Sequence, residues 1–287
     1  MVKRSLGIFL GRTGAEAALL EGQRPGAYKV LAQVRAEANG QLWTDDPGEL
    51  RSLFRQLAKR LPNDARRADV QVRISLPDPL ISEDRLGFRD LPDDPVEARD
   101  LILWRLAREL RKPPESMACA WQVEKIEGDE TRVLVRVLDR AVLTAVNDAA
   151  MASGFFAARI EGWSGYEMKQ SGNSEAGAVI WANSDWWSLM CWARPKSENP
   201  SECETLVHSE WRETNENPQI AAEKVSRLVK SFALSIKVDQ FPVALELPET
   251  LAETVRVTLS KEEVNLTSED FPRNHAGGAT RVALDAF

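Results

Sequence analysis

Residues that commonly carry chemistry are sparse in this chain and stand far apart. Its two histidines, His208 and His275, and three cysteines, Cys119, Cys191 and Cys203, form no C-x-x-C pair and no cluster with metal-ligand spacing, which argues against a zinc site. Cys119 and Cys191 fall in apolar, strand-like runs, where a reduced cysteine behaves as a small hydrophobe, and a reducing compartment fits this usage. No serine, cysteine or carboxylate constellation assembles around His208, which reads as structural, and His275 reads as a capping or surface residue. There is no glycine-rich Walker loop and no carboxylate pair on one helix face. Two features remain. Gly11-Arg12-Thr13-Gly14 makes a tight turn after an apolar run, and Trp181, Trp186, Trp187, Trp192 and Trp211 crowd into one region. Alternation along a strand puts Trp186 and Trp192 on one face and Trp187 on the other, so sheet core is the first reading of these rings, with a partner surface or a stacking platform as alternatives.

The elements that position these residues follow from periodicity. Short apolar or alternating runs at 5–10, 15–20 and 28–36, separated by turn residues, predict an antiparallel meander. A helix follows, with Asp46 as cap, Pro47 in its first position, and Leu50, Leu53, Phe54, Leu57 and Leu61 on one face. Val70, Val72, Ile74 and Leu76 alternate as a strand that ends at Pro77. From Asp78 to Arg159 the pattern changes to strand (86–91), helix (95–112), strand (117–126), strand (132–138) and helix (140–153), which predicts an inserted three-stranded sheet covered by two helices. The first of these helices should bury Leu103, Leu106, Ala107 and Leu110. The second is capped by Asp139 and ends at Gly154.

The opening theme then returns. Strands at 177–182, 186–192 and 205–213 precede a helix from Pro218 to about Leu234, capped by Asn217, with Ala221, Val225, Leu228, Val229 and Phe232 on its buried stripe. Strand–strand–strand–helix occurring twice implies two related lobes facing each other across a cleft. A strand at 241–247 follows, 250–260 fits helix or strand, and a helix closes the chain at about 274–287. The polar run 202–217 reads as a solvated edge.

Composition narrows the function classes. A formal charge of −7, from 37 basic and 44 acidic residues, argues against a nucleic-acid polyanion as the main partner. No run reaches the length of about 18 apolar residues that a membrane span needs, and the apolar stretch of the first ten residues is too short for a secretory signal. A cytoplasmic chain is the expectation, and attachment to a membrane would require a partner.

With these elements in place, the chain resembles the pilus-assembly proteins of the PilM type, their mannose-sensitive-pilus relative MshI, and the cytoplasmic part of the type II secretion protein GspL. The resemblance runs through Leu6-Gly7-Ile8-Phe9-Leu10-Gly11, through Arg89-Asp90-Leu91-Pro92 to Glu97, Trp104 and Pro113, and through Ala120-Trp121-Gln122-Val123. It continues in Ser153-Gly154-Phe155 to Glu161 and in Ala276-Gly277-Gly278-Ala279 to Ala283-Leu284. It implies an α/β fold of two ribonuclease-H-like, actin-like lobes: a first lobe at 1–77, an inserted α+β subdomain at 78–159, and a second lobe at 160–287 whose last helix returns to the first. It also implies a role in the inner-membrane platform of a type IV pilus or type II secretion system, peripheral to the membrane through the cytoplasmic tail of a PilN-like single-span protein. The assembly ATPase and self-association are further candidates.

Against that family the two phosphate loops depart. ATP-binding members resemble Asp-x-Gly in the first loop, where the acid orients magnesium and the glycine admits phosphate to backbone N–H groups. Here the acid position is Phe9, while Gly11, Arg12 and Thr13 keep a backbone cradle. The second loop reads Trp181-Ala182-Asn183 where another Asp-x-Gly is expected, and no Gly-Gly pair occurs around 245–247. The nearest acid, Asp185, reads as a solvated hairpin-turn residue. Phe9, Gly11, Arg12, Thr13, Trp181 and Asn183 are thus vestigial nucleotide-loop positions, and the expectation is a non-enzymatic scaffold with no cofactor. An actin-like protein that binds or hydrolyses ATP through unconventional ligands is the alternative, and a sugar-kinase-like enzyme on the same fold a weaker third reading.

Overall fold

The computed structural model describes residues 3–24, 27–43, 48–127, 130–164, 176–182, 185–193, 204–212, 217–236, 241–247, 249–260 and 266–267. Strands β1 (Lys3–Leu10), β2 (Gly14–Arg24) and β3 (Ala27–Glu37) form the expected meander, and β4 (Val70–Leu76) lies parallel to β1 on its other side. The second lobe repeats this with β9 (Ala176–Ala182), β10 (Trp186–Ala193), β11 (Glu204–Trp211) and β12 (Phe241–Glu246), the last parallel to β9. Each sheet gains a fifth parallel strand, β8 (Ala157–Gly162) beside β4 and β13 (Leu266–Thr267) beside β12. The orders β3-β2-β1-β4-β8 and β11-β10-β9-β12-β13 are therefore the same topology twice. Between the lobes in sequence lies a third sheet, β5 (Ile81–Phe88), β6 (Met117–Glu127) and β7 (Glu130–Asp139), in the order β5-β7-β6.

Helix α1 (Gly48–Arg60) buries Leu50, Leu53, Phe54 and Leu57 against the first sheet, as its 3.6-residue stripe requires. The expected cap, Asp46 and Pro47, lies outside the described residues. Helix α2 (Pro95–Leu110) starts where Asp94 accepts the N–H groups of Val96 and Glu97 at 2.9 and 3.0 Å, and stops where Arg111 turns left-handed at φ 53°. Helix α3 (Arg140–Ala152) is capped by Asp139, which accepts from the Ala141 N–H at 2.8 Å, and ends at Gly154 with φ 82°. Asn217 caps α4 (Pro218–Ile236) by accepting from the Gln219 N–H at 3.0 Å, and Ala221, Val225, Val229 and Phe232 are buried as expected. Residues 250–260, open between helix and strand in the sequence, fall in α5 (Glu249–Ser260), packed beside α4. The C-terminal helix expected at 274–287 lies outside the described residues.

Two expectations change. The block 78–159 was expected to be one subdomain with two helices, but only α2 covers its sheet, burying Ile102, Leu103 and Leu106 with Leu86, Phe88 and Val133. Helix α3 instead packs Val146, Ala149 and Ala150 into the core of the first lobe, and β8 pairs with β4, so 140–162 belong to that lobe. Leu110 is the second change: it is 40% exposed, because the last turn of α2 carries it clear of the cluster that holds Leu103 and Leu106.

Candidate functional site

The two lobes meet at the ends of β1 and β9, and the residues between them are mostly aromatic. Phe9 is stacked on Trp186 with centroids 5.5 Å apart, and meets Trp163 and Trp181 edge-on at 5.1 and 5.8 Å. Trp181 closes the ring of contacts with Trp163 at 5.3 Å and Trp186 at 5.1 Å, and Trp211 packs on Trp186 from outside. Phe9, Trp163 and Trp186 are buried. Alternation along β10 explains the allotment: Trp186 faces this junction, while Trp187 faces the α4 side with Leu189 and Cys191, as the two-residue repeat predicts.

Beside the aromatic cluster lies the turn after β1. The Gly11 N–H donates to the Gly14 carbonyl at 2.8 Å, and the Gly11 carbonyl accepts from Nε1 of Trp43 at 2.8 Å. The Arg12 N–H points out of this turn and donates to Oδ2 of Asp185, 2.6 Å away in the second lobe. A Cβ on Gly11 would stand 2.7 Å from the same oxygen and 3.3 Å from the Gly14 carbonyl oxygen, so any side chain there would push the carboxylate away. Asp185 is therefore not the solvated hairpin residue that its sequence context suggests. Its carboxylate is the anion held at the turn's backbone N–H. The Arg12 side chain completes the clasp, donating to the Arg212 carbonyl at 3.4 Å and lying 5.6 Å above the Trp211 ring.

The structure thus brings Phe9, Gly11, Arg12 and Trp181 together. Thr13 does not join them: its side chain is exposed, and its carbonyl accepts from the Ala38 N–H within the first lobe. Asn183 lies outside the described residues. His208 keeps a structural place, with Nε2 3.1 Å from Glu210 Oε1 and its ring against Trp187. Burial pushes the Cys119 and Cys191 thiols up, away from the thiolate form. Among the described residues no group of three or more His, Cys, Asp or Glu could hold a metal ion.

Sequence reasoning missed two further interlobe links. Asp78, in the turn after β4, is buried and accepts from the Ser164 N–H at 2.9 Å and from Ser188 Oγ of β10 at 2.7 Å. Burial raises its carboxyl above the usual range, against the opposing effect of those two hydrogen bonds. The sequence shows a strand ending at Pro77 and an aspartate between two prolines, and nothing local distinguishes a buried acid there. The second link joins the inserted sheet to the second lobe: Arg85 binds Glu124 through two hydrogen bonds, 2.9 and 3.1 Å, and donates to Thr205 Oγ1 at 3.0 Å. Glu83 neighbours this pair, and burial likewise pushes its carboxyl up.

A groove of about 400 Å³ separates the inserted sheet from the first lobe. One wall is a contiguous piece of β6, from Ala118 to Gln122, and the other a contiguous piece of β8, from Arg159 to Gly162. Among the described residues these are the outer strands of their sheets. Leu76, Ile81, Leu138 and Leu143 make its floor apolar, Arg136 stands in its lining, and Arg159 is held by Glu161 at 2.7 Å. Gly162 leaves room for Ile81 and Asp78, whose atoms would lie 2.6 and 2.8 Å from an added Cβ. The floor of the groove is therefore tied to the same carboxylate that links the lobes.

No protein-family model matches the chain, and no curated protein matches it in sequence. Solved structures do match. A chain of a PilM-PilN type IV pilus biogenesis complex superposes with a TM-score of 0.64 at 13% identity, over 98% of this chain and 96% of that one. The cytoplasmic domain of EpsL, an inner membrane component of the type II secretion system of Vibrio cholerae, matches with a TM-score of 0.51 at 14% identity, over 94% of this chain and all of that one. A Bacteroides thetaiotaomicron protein with an actin-like ATPase fold matches with a TM-score of 0.52 at 12% identity, over 92% and 90% of the two chains. Together with the twice-repeated sheet and the inserted subdomain, these likenesses identify the chain as an α/β protein of the actin-like ATPase fold.

Proposed function

We propose that this protein is a non-enzymatic scaffold of a type IV pilus or type II secretion inner-membrane platform, which binds the cytoplasmic tail of a PilN-like membrane protein in the groove between β6 and β8. The groove carries this reading. An extended tail can add to an outer strand through backbone hydrogen bonds while its alternate side chains enter an apolar floor, and both outer strands are offered here side by side. The likeness to a chain of a PilM-PilN type IV pilus biogenesis complex supports a partner of that kind. No described helix is long and apolar enough to cross a membrane, and in this reading the partner's tail holds the scaffold at the membrane surface.

The junction between the lobes supports the non-enzymatic half. The fold implies a magnesium nucleotide there, and the residues present do not fit one. Phosphoryl transfer depends on acids that place the metal and on backbone N–H groups that meet the phosphates. Here Phe9 and Trp181 fill the acid positions, Trp163 and Trp186 fill the space between, and the Arg12 N–H already holds the Asp185 carboxylate. A phosphate approaching that N–H would meet a negative charge. Hydrogen exchange tests the reading directly: adding the cytoplasmic tail peptide of the neighbouring membrane-protein gene product should protect 118–122 and 159–162. Protection by ATP around 9–14 instead, with none from the peptide, would transfer the function to the nucleotide-binding alternative.

A further inference from the structure

Helix α2 buries Ala98, Ile102, Leu103 and Leu106 against the inserted sheet, and the opposite pole of the helix carries a tryptophan. Trp104 is 54% exposed, with the Arg108 guanidinium 4.9 Å from its ring centre. Among the described residues packing does not require an indole there, because the helix already covers its sheet from the other side. The charges on the outward face are ordered around this ring. Asp100 and Arg108 lie four residues to either side of Trp104, and Glu97 and Arg111 lie seven to either side. Offsets of four and seven stay on one helical face, and Arg111 extends that row from the left-handed position just past the last helical residue. All four side chains are exposed, acids on the N-terminal side of the ring and bases on the C-terminal side.

Such a face is complementary to itself in one orientation. Turned antiparallel about Trp104, a second α2 would set Glu97 against the copy's Arg111 and Asp100 against the copy's Arg108. The pairs fall about 10 and about 6 Å from the crossing point along the helix axis. A parallel alignment in register would place like charges opposite each other. We propose that two copies of this chain associate through antiparallel packing of α2, with Trp104 of each at the twofold axis. The contact is isologous, so it closes at two and leaves no open end. A buried aromatic centre with charged pairs at its rim is the anatomy of a protein interface, and tryptophan and arginine are its usual anchors. Asp100 is paired with Arg99 at 3.0 Å within the single chain, an exposed pair whose exchange for an intermolecular one costs little. One helix pair is a small contact, so dissociation constants of about 10–100 µM are expected. A dimer of this kind would present two tail-binding grooves together and raise the avidity of a two-tailed partner.

Sedimentation velocity of the full chain at about 5 to 300 µM should show a concentration-dependent dimer that weakens as salt rises from about 50 to about 500 mM. Trp104→Ala should loosen it at least about tenfold. The decisive pair is E97R/D100R, with a wholly basic face, and R108E/R111E, with a wholly acidic one. Each alone should be monomeric, and the two mixed in equal amounts should dimerise. Thermal melts of both variants should match the wild type, since every altered side chain is exposed. A wild-type chain that stays monomeric at the top concentration overturns the proposal, as does a dimer that neither charge variant dissociates, or a mixture that fails to associate.

Discussion

The Asp185 carboxylate holds the turn after β1 from across the cleft, and removing it should loosen the lobes measurably. Asp185→Ala deletes a charged acceptor 2.6 Å from a part-buried backbone N–H and leaves that N–H without it. Hydrogen bonds to charged groups contribute about 1.5–3 kcal/mol, and orphaning a buried donor costs a similar amount. Partial exposure of Asp185 lowers the estimate, so about 2 kcal/mol is expected. For a chain of this length that corresponds to a fall in melting temperature of roughly 3–4 °C. Asp185→Asn keeps an acceptor without the charge and should cost about half as much. Differential scanning calorimetry reads the shift. Hydrogen exchange reads its place, with faster exchange at the Arg12 amide than at amides in the middle of β1. If Asp185→Ala melts within about 1 °C of the wild type and exchange at 11–14 is unchanged, the clasp contributes nothing and the reasoning fails.

Three further outcomes follow from the same packing. Phe9→Asp and Trp181→Asp should each destabilise the fold, the first by about 3 kcal/mol or more because Phe9 is buried among three aromatic rings, and neither should create ATP hydrolysis in a phosphate-release assay. Leu106→Ala should cost about 2–5 kcal/mol by urea denaturation, and Leu110→Ala less than about 1 kcal/mol, since Leu106 is fully buried and Leu110 is 40% exposed. Asp78 titrates above the usual range in the folded state, so the unfolded chain loses this proton first, and stability falls as pH rises from about 4 through the folded value. Asp78→Asn keeps an acceptor for the Ser164 N–H and a hydrogen bond to Ser188, and should lose less stability than the wild type over that rise in a melting-temperature series.

Much of the architecture was legible because it rests on local chemistry. The leucine stripe of α1, the caps Asp139 and Asn217, and the Gly154 stop each need only a few neighbouring residues to be recognised. The first half of β5 was not legible. Glu83 and Arg85 interrupt its apolar alternation, and they are stable there only because Arg136, Glu124 and Thr205 meet them from other strands. Helix α3 was assigned to the wrong sheet for a similar reason: its apolar stripe can cover either sheet, and only the parallel pairing of β8 with β4 fixes the choice. At the cleft, Phe9 and Trp181 announced that acids were missing. That an acid from the other lobe would take the place at Arg12 depends on a contact between residues 173 positions apart, which no local pattern records.

The central claim is that the groove between β6 and β8 receives a membrane-protein tail, and calorimetric titration measures it most directly. The cytoplasmic peptide of the neighbouring membrane-protein gene product should bind the wild-type chain with a micromolar dissociation constant, on the order of −8 kcal/mol. Ala120→Trp, which places an indole on the exposed groove-lining face of β6, should abolish that binding while the melting temperature stays near the wild-type value. No binding at several hundred micromolar, about −5 kcal/mol or weaker, together with tight binding of ATP, would contradict the account.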